Sequence, residues 1–128
     1  MESVNIIKIL GWIIYSTLIL SFVFESVGPW WGNNPIKKRE EEIDILAISK
    51  DNALIGECRW RNQSLDMNIV NSLIEKAQAL KYKNKYYIFF SKSGFIEDVL
   101  NLSKYNEKII LVDFNQIENI EYSWKQMK

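Results

Sequence analysis

Between Ile9 and Phe24 the chain carries no charged residue, and from Ile6 to Phe24 14 of 19 residues are apolar. Such a run must be buried, in a protein core or in a bilayer, so it constrains the fold before any motif is read. A bilayer core takes ~20 mostly apolar residues. Here Lys8 lies near the start and Gly11, Ser16, Thr17 and Ser21 lie inside, which places the run at the margin of a span. Asn5, Lys8, Gly11 and Tyr15 would give a helix a narrow polar stripe, as suits a buried first helix over residues 1–20, followed by an alternating strand from Ser21 to Val27. Two arrangements stay open. One is a cytoplasmic protein with a core helix. The other is an anchor through residues 6–24, with the domain of residues 21–128 held in the cytoplasm by Lys37, Lys38 and Arg39. Glu2 in place of a basic cluster, and no small-x-small cleavage site after the run, argue against a secretory signal.

At 128 residues the chain is one domain long, and with 48% apolar and 13% aromatic residues it can bury a core. Lys plus Arg and Asp plus Glu number 16 each, so no global basic field draws the chain to a polyanion, and any such contact must be a local patch. The chain has no His, which excludes Ser-His-Asp and Cys-His catalysis and His-containing zinc sites. Cys58 alone can form neither an internal disulfide nor a thiolate cage, in keeping with a reducing compartment. Carboxylate, Lys and Arg chemistry remains, with a hard metal ion as the natural cofactor.

After the apolar run, Gly28-Pro29-Trp30-Trp31-Gly32-Asn33-Asn34-Pro35 reads as a loop whose tryptophans plug the sheet edge or offer a base a stacking face. Lys37 to Glu42 reads as a solvated connection. Strands are predicted over Glu42–Ile48 and Ala53–Trp60, joined by a turn at residues 49–52. Met67, Val70, Leu73, Ile74, Ala77 and Leu80 mark one face of a helix capped by Asp66. A strand at Tyr86–Phe90, a helix from Ser93 or Gly94 to Leu102, a strand at Lys108–Phe114 and an amphipathic tail through Trp124 follow. Ser91 or Ser93 would cap the second helix with Glu97 assisting, while Lys92 could touch a phosphate. Hairpin strands first and helical crossovers later predict an α/β fold with a mixed sheet flanked by helices.

Asp44, Glu57 and Arg59 interrupt apolar strands, where a polar side chain is expensive. Alternation puts Glu42 and Asp44 on one face with Ile43 and Ile45 on the other, and gives Ile55, Glu57 and Arg59 a shared face. A hairpin centred between residues 50 and 51 sets Asp44 opposite Glu57. Two converging carboxylates repel unless a cation such as Mg²⁺ binds both, with the Cys58 carbonyl as a third ligand and Arg59 holding a phosphate. Alternatively, these residues only solvate one face of a surface hairpin.

Four segments together resemble a known family. Phe24 to Asn34, Glu42-Ile43-Asp44-Ile45, Gly56-Glu57-Cys58-Arg59-Trp60-Arg61-Asn62 and Phe90-Ser91-Lys92-Ser93-Gly94-Phe95, spread over roughly residues 22–114, look like the domain of unknown function 234. That domain forms the C-terminal part of archaeal and bacterial AAA-type ATPases. The resemblance implies a restriction-endonuclease-like core of the PD-(D/E)XK class, with Asp44 as its metal-binding aspartate, Glu57 as its second acid and Arg59 at its lysine position. It implies a Mg²⁺-dependent nuclease-like domain that acts on or binds nucleic acid, or a catalytically inactive interaction module, with an AAA-type ATPase as a partner. Arg59 departs from the pattern because a guanidinium cannot readily serve as a base. The family's acidic residue in the first helix is also missing, and no P-loop run occurs, so ATP hydrolysis is not expected.

Overall fold

The computed structural model describes residues 25–34 and 38–113. Strands β1 (Ser26–Asn34), β2 (Arg39–Ser49) and β3 (Asn52–Arg59) are followed by helix α1 (Met67–Ala77), β4 (Asn84–Ser91), helix α2 (Glu97–Tyr105) and β5 (Ile109–Asp113). The five strands form one sheet in chain order, antiparallel from β1 to β3 and parallel from β3 to β5. The fold is therefore α/β with a mixed sheet, as hairpins followed by helical crossovers require. The expected first helix, the membrane anchor at residues 6–24 and the amphipathic tail lie outside the described residues. Among the described residues no helix is long and apolar enough to cross a membrane.

Packing follows the sequence periods. Val70, Leu73 and Ala77 of α1 and Val99 of α2 are buried against Ile43, Ala53, Ile55 and Phe89 of the sheet. Ile45, Ala47, Leu54, Ile88, Phe90 and Val112 form a second cluster drawn from the strands. Asp66 caps α1 by accepting the Ile69 N–H at 3.2 Å, and the chain tightens after Ala77 through i to i−3 bonds that end at Leu80. Leu73 is 1% exposed at the centre of this contact. Leu73→Ala is expected to lower stability by ~2–5 kcal/mol, the usual effect of emptying a buried leucine site. Urea unfolding should show a lower midpoint at an unchanged slope.

Several local expectations are corrected. Gly28 to Asn34 is strand, not loop: β1 is an edge strand, and Pro29 sits where the register with β2 shifts. Gly28 pairs with Leu46 but Trp30 with Ile43, so Pro29 alone faces both Asp44 and Ile45, a bulge in β2. An edge position beside a bulge tolerates the missing N–H of proline. The bulge also breaks the expected alternation, since Ile43 joins the helix-side cluster and Ile45 the other. Arg39 to Glu42 is not a connection but the start of β2, where Arg39 Nε donates to Glu41 at 2.9 Å and Glu41 is buried. At the next hairpin the ladder runs on to Ser49 and Asn52, leaving Lys50 and Asp51 as the turn, with Lys50 at φ 50°. The second helix starts at Glu97 with no side-chain cap. Ser91 and Ser93 instead donate to the carbonyls of Gly94, at 2.7 Å, and Arg61, at 2.6 Å.

Candidate metal and phosphate site

Ile45 pairs with Gly56, one step before the place where Asp44 would face Glu57, which is the register the hairpin arithmetic requires. Gly56 lets the strands approach there. A Cβ on it would lie 3.0 Å from the Ile45 Cβ and 3.2 Å from the Ile88 Cγ2, tighter than side chains normally pack. Beyond this point the described register of β2 and β3 ends, and the bulge turns β2 aside. The Cys58 N–H then donates to Asp44 Oδ2 at 2.9 Å, so the aspartate occupies the place of a ladder partner.

An open cleft of about 410 Å³ forms at this divergence, lined by Glu42, Asp44, Glu57, Cys58, Arg59, Trp60, Arg61 and Lys76. The structure thus brings Asp44, Glu57, Cys58 and Arg59 together. Glu57 is 7% exposed, and its nearest described cation is Arg59, with Nη2 4.0 Å from Oε1, beyond hydrogen-bonding distance. Burial pushes the Glu57 carboxyl above the usual glutamate range, and the Asp44 charge pushes the same way. Lys76 and then Arg59 oppose the rise, while Glu42 adds to it. Burial first, and the Asp44 and Glu57 charges next, push the Cys58 thiol well above its ordinary value, so this cysteine is no nucleophile at neutral pH. The Arg59 Nε is buried without a hydrogen-bond partner, an orphan donor beside two acids.

Lys76 is the residue that sequence reasoning missed. It lies in the last turn of α1, and its side chain crosses to the cleft although 18 positions separate it from Cys58 in the chain. In the sequence it looks like any lysine on the polar face of an amphipathic helix, so only the crossover geometry exposes its place at the cleft. The far rim is fixed by two tied loops. Ser93 Oγ donates to the Arg61 carbonyl at 2.6 Å, Ser64 Oγ to the Ser93 carbonyl at 3.1 Å, and the Leu65 N–H to the Gly94 carbonyl at 2.9 Å. Lys92 Nζ donates to Asn62 Oδ1 at 3.2 Å on this exposed rim.

The Glu57 shift predicts a pH dependence. Its folded-state pKa is raised, so between the ordinary glutamate value and the raised one the folded chain binds the extra proton. Stability is then lost as pH climbs through that window and stays lower above it. Glu57→Gln, neutral at every pH, should melt higher than wild type at neutral pH. The difference should vanish at pH values below the ordinary glutamate range, as read by thermal unfolding across pH.

The chain is thus an α/β domain with an acidic, cation-flanked cleft at the carboxyl end of β3. Residues 5–82 match the domain of unknown function 234, described as archaea and bacterial proteins of unknown function, and the chain belongs to that family. The match begins before the segments that carried the resemblance and stops short of Phe90 to Phe95. The crystal structure of AF1548, a protein of unknown function, superposes with a TM-score of 0.50 at 15% identity, over 84% of this chain and 58% of that one. The likeness concerns the fold, and the chain spans 58% of that protein's length. No curated protein matches the chain.

Proposed function

We propose that this chain carries a divalent-metal-dependent phosphodiesterase site of the restriction-endonuclease-like kind, with nucleic acid as its substrate. The observation that carries the reading is the convergence of Asp44 and the buried Glu57 in one cleft beside Arg59 and Lys76. Two acids held together at an energetic cost, with cations arrayed around them, suit a cation and a phosphate better than they suit an empty surface.

The donor set selects among metals. Among the described residues no three carboxylate or cysteine side chains gather into a metal cage, so a four-ligand zinc site does not fit. Mg²⁺ fits, because it keeps several waters and needs only one or two carboxylates alongside a substrate phosphate. Asp44, through the oxygen not engaged by the Cys58 N–H, and Glu57 would hold it, with the Cys58 carbonyl as the further protein ligand. When bound, the metal supplies an acidified water and neutralises charge on the phosphate. Arg59, which has an orphan donor, holds a phosphate oxygen, and Lys76 works against the rise in the Glu57 pKa and adds positive charge across the cleft. Since the family resemblance places such domains at the end of ATPases, an AAA-type ATPase is the proposed partner.

A second reading, an inactive interaction module, has one observation in its favour: Asp44 already satisfies a backbone N–H. Incubation with single-stranded and branched DNA in Mg²⁺ or Mn²⁺ separates the two. The active reading expects cleavage that a chelator stops. No cleavage by wild type or by Arg59→Lys would leave the interaction module.

A further inference from the structure

The adjacent tryptophans divide into two roles. Trp30 packs against the helix-side core and lies over Gly32, where any side chain would collide with the indole. Trp31 points the other way and is 64% exposed, although hydrophobic burial would favour a smaller or polar residue on an edge strand. Its place is set by the bulge, which shifts the register so that Trp31 pairs across the strands with Glu42. Directly opposed residues share a face of the sheet, with Cβ atoms ~5 Å apart. Glu42 lines the cleft, so Trp31 is one cross-strand pair removed from it, on the sheet face away from α1.

We propose that Trp31 is a stacking platform for an unpaired nucleobase of a strand whose phosphates lie along Arg59, Arg61 and Lys76. The inference rests on the phosphodiesterase reading and adds the substrate class: nucleic acid with unpaired bases at the site. An exposed indole face takes any base by stacking, and a neighbouring cationic cleft holds the sugar-phosphate chain. A base paired within a duplex has both faces covered by its neighbours and has none to offer. Glu42, an acid beside the indole, would repel a phosphate at that spot and so favours the base rather than the backbone there.

Fluorescence anisotropy of a labelled single strand, measured without added metal, tests this. Wild type, Trp31→Ala and Trp31→Phe are compared on an intact strand, an abasic strand of the same length and a duplex. Trp31→Ala is expected to weaken intact-strand binding by about tenfold. Trp31→Phe should lose less, and binding of the abasic strand and of the duplex should change little in Trp31→Ala. Exposure of the side chain leaves the fold intact, which circular dichroism verifies. Equal binding of the intact strand by wild type and Trp31→Ala, or equal losses on intact and abasic strands, would overturn the proposal. If that happens while Glu57→Ala still abolishes cleavage, the platform alone falls. If the wild type binds none of the three nucleic acids, with Mg²⁺ or without it, the platform and the phosphodiesterase reading fall together.

Discussion

Glu57→Ala and Asp44→Ala are each expected to reduce metal-dependent cleavage by at least about a thousandfold, beyond the roughly 10–100-fold that follows loss of an outer-shell partner. The two variants should part company in stability. Removing the Asp44 carboxylate strands the Cys58 N–H, which it accepts at 2.9 Å, and an unsatisfied buried donor costs about 1–3 kcal/mol. Asp44→Ala should therefore melt lower than wild type. Neutralising Glu57 as Gln removes a buried charge whose desolvation and repulsion from Asp44 oppose folding, so Glu57→Gln should melt higher while being equally inactive. A shared loss of activity with opposite stability changes distinguishes a functional acid pair from a merely structural one. Equal destabilisation of both variants, with cleavage intact, would mean that the carboxylates serve the fold alone.

Lys76→Ala should lower cleavage at neutral pH by about a hundredfold, the scale seen when one preorganised charge is withdrawn from a reacting centre. The reason lies in two roles of the same ammonium. It lines the cleft where the phosphate would sit, and it is the first of the two cations that hold the Glu57 pKa down. Losing it should leave Glu57 protonated to higher pH, so the acid limb of the pH–rate profile should move upward. Lys76→Arg keeps the charge and should recover most of the rate. Arg59→Lys, which restores the lysine of the family pattern, should not fall below wild type, because either cation can meet the phosphate. A rate unchanged in Lys76→Ala, with the acid limb in place, would remove Lys76 from the site.

The parts of this fold that sequence exposed were those where one local period ruled. The 3.6-residue recurrence of Val70, Leu73 and Ala77 marked α1 and its buried face, and the spacing around the 50–51 turn set the register that brings Asp44 toward Glu57. What stayed hidden had non-local causes. β1 is written in Gly, Pro, Trp and Asn, turn-forming residues in isolation, and is strand only because β2 supplies a partner and the edge tolerates Pro29. The bulge that moves Ile43 and Ile45 to different clusters depends on two strands at once and leaves no mark in either alone. Lys76 reaches the cleft through a crossover, and which of Trp30 and Trp31 faces the core is decided only once β1 is paired as a strand. The roles assigned to Asp44, Glu57 and Arg59 were readable from the hairpin register, and the family resemblance implied the same residues. Residue types alone allowed a plain surface hairpin as well.

If Asp44 and Glu57 form a seat for a divalent cation, thermal unfolding with and without Mn²⁺ or Mg²⁺ must register it. A ligand that binds only the folded chain raises its melting temperature, by an amount that grows with metal concentration. Wild type should show such a rise, Glu57→Gln and Asp44→Ala little or none, and the wild-type rise should weaken as pH falls and Glu57 takes up its proton. A wild-type melting temperature indifferent to both metals at neutral pH would mean that the two carboxylates seat no divalent cation.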